Sequence, residues 1–165
     1  MNNREIKKFV KVVSANIFDK NFRSLPTFSR PGFLFWGPSG SGKTTTVIHA
    51  ANEMNVPIVT ILFSQENPED MSFPEVDKKI SGEKGLGKIL AEVFPRYLTN
   101  DKGEQIYRRE VKNNEIIETD EPAINFEALK GYISNYDQIK TFYENQGLTI
   151  NDAPGGIYFM DEITR

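Results

Sequence analysis

The sequence predicts an α/β fold in three layers, with helices covering both faces of a parallel central sheet. Two observations predict it. Residues 33–63 read as strand, glycine-rich loop, helix and strand, and residues 157–160 are a further apolar run that ends in two adjacent carboxylates. A chain that alternates strands with helices folds as an α/β sheet.

The 165 residues suffice for one domain with a real core. The chain is 38% hydrophobic and 26% charged, with a net charge of −3. That charge makes no electrostatic case for nucleic acid or an anionic membrane. With no cysteines, disulfides and thiolate metal sites are excluded, and the composition suits a reducing compartment. No apolar run approaches the ~20 residues of a membrane span, and the N-terminus lacks the apolar core of a secretory signal. A cytoplasmic protein is expected.

Residues 1–31 read as a helix and a linker. Ile6, Phe9, Val10, Val13 and Ile17 fall on one helical face, with Arg4, Lys7, Lys8 and Lys11 off it. This pattern predicts an amphipathic helix packed on the domain. Pro26 and Pro31 mark the linker into the apolar run Phe33-Leu34-Phe35-Trp36, which is expected to be a buried strand.

Gly37-Pro38-Ser39-Gly40-Ser41-Gly42-Lys43-Thr44 then reads G-x-x-x-x-G-K-T, the P-loop or Walker A pattern. Its chemistry is anion binding. Backbone N–H groups of the loop converge on a phosphate, and the glycines let the backbone come close. Lys43 can reach the β- and γ-phosphates, and the Thr44 hydroxyl can hold Mg²⁺. Thr45 opens the helix that continues to Met54, whose positive dipole end faces the phosphates. His49, the single histidine, lies on that helix and reads as a packing or surface residue. Asn55 and Pro57 end the helix, and residues 56–63 are nearly all apolar, as in a parallel strand buried on both faces.

The middle of the chain, about 75–154, reads as an insertion. Residues 64–79 are a polar loop, residues 80–88 a glycine-rich turn, and Ile89, Leu90, Val93 and Phe94 suggest a short helix stopped by Pro95. Residues 105–111 and 115–119 flank Lys112-Asn113-Asn114 as an exposed hairpin, with Arg108 and Arg109 on a solvated face. Asn125 is placed to cap one helix running to about Asn145, with Phe126, Leu129, Ile133, Tyr136, Ile139 and Tyr143 on its core face and Gly147 past its end.

After Pro154-Gly155-Gly156, the run Ile157-Tyr158-Phe159-Met160-Asp161-Glu162 has the Walker B form. A buried strand delivers two carboxylates at its C-terminal end, where ligands bind in open α/β sheets. Asp161 would hold Mg²⁺ and Glu162 would activate the attacking water.

With both motifs in this order, the chain resembles an AAA+ ATPase, a P-loop NTPase. Asp161-Glu162-Ile163-Thr164-Arg165 is similar to the D-E-I-N-R run of the MoxR and dynein-related branch, and residues 67–74 resemble a loop of that branch. The similarity covers about residues 32–74 and 155–165. It implies ATP and Mg²⁺ as cofactors, a ring of like subunits, and hydrolysis coupled to remodelling of an unnamed client protein. The segment 32–165 would be the ATPase core. The family's sensor strand, arginine finger and helical lid would fall after Arg165, and that sensor strand lies between the two motif strands. The sheet is therefore expected to be incomplete and the chain an N-terminal piece, with slow turnover on its own. Two other readings stay open: a non-hydrolysing nucleotide-binding assembly protein, and a P-loop kinase or transporter-type ATPase. Residues 80–83 do not supply a transporter signature loop.

Overall fold

The computed structural model describes residues 2–26, 30, 32–38, 40–62 and 97–161. The polar loop, the glycine-rich turn and the short helix expected between residues 64 and 95 lie outside the described residues.

Helix α1 spans Asn3–Ser14 and begins with a capping box: the Asn2 side chain accepts the Glu5 N–H at 2.9 Å, and Glu5 Oε2 accepts the Asn2 N–H at 2.8 Å. A 3₁₀ turn, Ala15–Phe18, and a one-turn helix α2, Lys20–Arg23, follow. Helix α3, Lys43–Met54, ends at Asn55, whose φ of 53° is the left-handed conformation that closes many helices. Ile6 and Val10 of α1 are buried against Val47, Ala50 and Ala51 of α3, where the alanines let the two backbones approach. Each such aliphatic side chain contributes about 1.5–3 kcal/mol when fully buried. Lys7 and Lys11 both pair with Glu53 beside this seam.

Strand β1, Ile58–Leu62, runs parallel to β4, Ile157–Asp161, with Ile58 opposite Ile157 and Leu62 opposite Asp161. Successive residues face opposite layers. Ile58, Ile157 and Phe159 pack with α1 and α3, whereas Val59, Ile61 and Tyr158 pack with Phe126, Ile139 and Ile150 on the other side. Burial on both faces is what the apolar run 56–63 implied, and the α/β/α layering follows from it.

The expected helix from Asn125 to Asn145 is broken. Asn125 does cap a turn, accepting the Ala128 N–H at 3.3 Å, but the turn is only the 3₁₀ piece Glu127–Leu129. Residues 132–134 then lie along the outer edge of β1: Ile133 bridges Val59 antiparallel, the Thr60 N–H reaches Tyr132 O at 3.0 Å, and the Ser134 N–H reaches Ile58 O at 3.0 Å. Helix α4, Tyr136–Glu144, comes only afterwards. The edge of β1 carries backbone groups that must be paired when buried, and that demand interrupts the helix. All six residues of the predicted core face are nonetheless buried. Gly147, at φ 77°, closes α4 with bonds from the Leu148 N–H to Tyr143 O and from its own N–H to Glu144 O.

The hairpin forms as β2, Tyr107–Lys112, and β3, Glu115–Pro122. Asn113 and Asn114 have φ of 53° and 61°, the two left-handed residues of a type I′ turn. Its arginines are not a solvated face. Arg108 is buried beside Glu110 and Glu121, and Arg109 grips Asp152 with its Nη2 at 3.0 Å and its backbone N–H at 2.8 Å.

Residues 33–36 do not form the expected strand. They are extended but make no ladder among the described residues, and Trp36 is 79% exposed. Phe35 is half-buried, edge-on to Phe9. An apolar run becomes a strand only beside a partner. Among the described residues β4 is paired with β1 and no strand lies next to residues 33–36.

Candidate functional site

The C-terminal ends of β1 and β4 lie side by side, and Asp161 is the last residue of β4. The N-terminus of α3 meets them there. Thr44, the second residue of α3, donates its hydroxyl to Asp161 Oδ2 at 2.5 Å, joining positions 117 residues apart. This contact brings the Walker A hydroxyl and the Walker B carboxylate to one point.

The loop before α3 is shaped by glycine. Gly40 and Gly42 have φ of 75° and 80°, a region that costs other residues about 1–2 kcal/mol. The Lys43 ammonium spans the loop, donating to Gly37 O at 3.0 Å, Pro38 O at 2.6 Å and Ser41 Oγ at 3.1 Å. It holds both limbs of the loop in one conformation. Gly42 is the N-cap and has no side chain to cap the helix. The first intrahelical bond runs from the Thr46 N–H to Gly42 O at 3.0 Å, so the N–H groups of Lys43, Thr44 and Thr45 precede the helix's own ladder. Unladdered N–H groups, a positive helix end and an ammonium together favour an anion such as phosphate.

The converging Thr44 and Asp161 oxygens are hard donors of the kind Mg²⁺ takes, alongside phosphate oxygens and water. The donor set therefore fits that ion. Ser39 and Glu162 lie outside the described residues, as do residues 67–74 and 163–165. His49 is exposed on α3, in keeping with a surface role.

A wide cleft leads to this point, lined by Phe9, Phe33, Trp36 and Tyr158 as well as by the loop. Burial raises the Tyr158 hydroxyl pKa well above its usual range. On the hairpin side, Arg23 clasps Glu121 through two bonds of 2.7 and 2.6 Å, and Arg108 lies at 3.5 Å from the same carboxylate. The Arg23 hydrogen bond holds the Glu121 carboxyl below its ordinary range, against the opposing effect of burial.

Residues 33–165 match the family described as "ATPase family associated with various cellular activities (AAA)". The chain belongs to the AAA family of ATPases. The match spans both motifs and the inserted stretch between them, so the hairpin and α4 sit within the AAA domain. Family membership makes the fold a P-loop NTPase fold, and the three layers around β1 and β4 are the described part of it. Neither the curated proteins nor the solved structures compared with the chain give a match.

Three contributors to this AAA domain escaped the reading of the residues. Asn3 donates to Ser41 O in the loop at 2.8 Å. Asn135 fastens β1, and Asp152 anchors Arg109. Each is a short polar side chain whose partner is distant in sequence, so no local pattern announces it. The spacing of Asn2 and Glu5 was the one local sign that α1 starts where it does.

Proposed function

We propose that this AAA domain binds ATP with Mg²⁺ at the P-loop and hydrolyses it, as a module of a remodelling or chaperone-like motor of the MoxR and dynein-related branch. The observation that carries the reading is the meeting of Thr44 and Asp161 at the N-terminus of α3. Gly37, Pro38, Ser39, Gly40, Ser41, Gly42, Lys43, Thr44 and Thr45 cradle the phosphates. Lys43 supplies positive charge to the β- and γ-phosphates, and Thr44 with Asp161 holds the metal. Bound Mg²⁺ supplies neutralisation of charge developing on the transferred phosphoryl group. Glu162 orients the attacking water and takes its proton.

Rings are common in the family, and an arginine supplied by a neighbour in this way is worth ~10³ to 10⁵ in rate. Lacking such a neighbour, this chain by itself binds ATP and turns it over slowly. The client and the cellular compartment follow from nothing in the site; the cysteine-free composition suits the cytoplasm.

The test is calorimetric titration with ATP and ADP in Mg²⁺, on wild type and Lys43→Ala in parallel. Binding by wild type that disappears in the variant supports the reading; equal heats in the two would sink it. Glu162→Gln separates hydrolysis from the alternative of a pure nucleotide switch. It should retain ATP unhydrolysed in an ATPase and change nothing in a switch.

A further inference from the structure

Helix α1 reaches the phosphate loop through one side chain. Asn3 Nδ2 donates to the Ser41 carbonyl at 2.8 Å. The carboxamide is carried on a docked helix. The Asn2–Glu5 capping box fixes the first turn, Ile6 and Val10 are buried against α3, and Lys7 and Lys11 pair with Glu53 further along the same helix.

Ser41 is thereby held twice: its carbonyl by Asn3 and its hydroxyl by Lys43 Nζ at 3.1 Å. In a planar trans peptide the C=O and the next N–H point in opposite directions. A Ser41 carbonyl drawn toward α1 therefore turns the Gly42 N–H away from α1, to the side of the loop that Lys43 spans. Glycine does not choose between peptide orientations by itself, because it populates both signs of φ readily. Gly42 sits at φ 80°, and a Cβ there would come within 3.1 Å of Asn3 Nδ2. Absence of a side chain at position 42 thus serves the backbone angle and makes room for Asn3.

We propose that Asn3 is a positioning residue of the nucleotide site, which orients the Ser41–Gly42 peptide so that the Gly42 N–H joins the donors offered to the phosphates. This rests on the nucleotide-binding reading above. The chemistry asks for a neutral donor at position 3. Asn3→Asp is isosteric, yet it sets an acceptor against the Ser41 carbonyl and adds a negative charge beside the phosphates.

The test uses the full chain, ¹⁵N-labelled, as wild type, Asn3→Ala, Asn3→Asp and Lys11→Ala. Lys11 pairs with Glu53 away from the loop and serves as the control for loosened helix docking. In the nucleotide-free proteins, the Gly42 amide resonance should move in both Asn3 variants and stay in place in Lys11→Ala. ATP·Mg²⁺ should bind about 3- to 10-fold more weakly to Asn3→Ala, the scale of one neutral hydrogen bond, and more weakly still to Asn3→Asp. Melting temperatures of the Asn3 variants should match wild type. A Gly42 resonance unmoved by Asn3→Ala would overturn the proposal whether or not nucleotide binds. So would affinities that fall only in step with melting temperature, as a purely structural contact requires. Failure of wild type itself to bind ATP would strike the nucleotide reading, and the Gly42 resonance would still report on the peptide.

Discussion

The Asn135 carboxamide takes the place of a strand at the start of β1: its Oδ1 accepts the Ile58 N–H at 3.1 Å. Its Nδ2 donates to Val56 O at 2.9 Å, so one side chain satisfies both backbone groups flanking Pro57. Asn135 is itself buried. Asn135→Leu keeps the volume but strands a buried donor and acceptor, and should destabilise the domain by about 2–3 kcal/mol. A lower urea midpoint with an unchanged slope is the expected result.

The Thr44–Asp161 contact predicts a metal-dependent phenotype. Thr44→Val and Asp161→Asn each remove one hard oxygen donor from the point where the two motifs meet. Wild type should bind ATP at least about tenfold more tightly in Mg²⁺ than in EDTA, a difference of ~1.4 kcal/mol. In either variant the two titrations should converge. Persistence of the full Mg²⁺ effect in both would remove these residues from the metal site.

Acid should loosen the hairpin's attachment. At Asp152, burial pushes the carboxyl upward, but the Arg109 hydrogen bond and the Thr149 and Arg109 backbone N–H groups outweigh it and leave it below its ordinary value. Glu121 is held low by Arg23. A carboxyl lowered by folding contributes stability above its unfolded pKa, about 3.9 for Asp and 4.3 for Glu. That contribution is lost as pH falls through the folded values. Melting temperature should therefore drop steeply below about pH 4, and Asp152→Asn should flatten that limb while lowering stability at pH 7. An unchanged acid limb in the variant would show that other carboxyls govern it.

Gly156 is a packing requirement. A Cβ there would come within 3.0 Å of the Pro57 carbonyl oxygen and 3.2 Å of the Phe126 ring. The Pro57 oxygen already accepts the Ile157 N–H at 2.9 Å, so it has little freedom to retreat. Gly156→Ala should cost about 1–3 kcal/mol, whereas Gly131→Ala, with nothing within 4 Å, should stay within about 0.5 kcal/mol of wild type. Thermal melts of the two variants side by side make the comparison.

Much of the site was legible because its residues are contiguous. The spacing of Gly37, Gly42, Lys43 and Thr44 specifies the loop and the start of α3, and four apolar residues before Asp161 specify β4. The hairpin was readable because Asn113-Asn114 carries its own turn geometry. Residues 33–36 misled, because apolar composition marks a candidate strand without supplying a neighbour. The helix from Asn125 misled for a related reason. A 3₁₀ turn, an edge segment and α4 all present Phe126, Leu129, Ile133, Tyr136, Ile139 and Tyr143 to the same core, and that spacing mimics one continuous helix.

The sequence by itself determined the phosphate loop, the paired carboxylates, the amphipathic face of α1 and the two-sided burial of β1, since each is written in the order of neighbouring side chains. Tertiary structure alone decided that β4 lies beside β1, that residues 132–134 cover the outer edge of β1, that Arg109 meets Asp152, and that Asn3 touches the loop. Backbone groups are the same at every position, so their pairing leaves no mark in composition or periodicity. Polar side chains find partners by distance in space, and only the folded chain sets that distance.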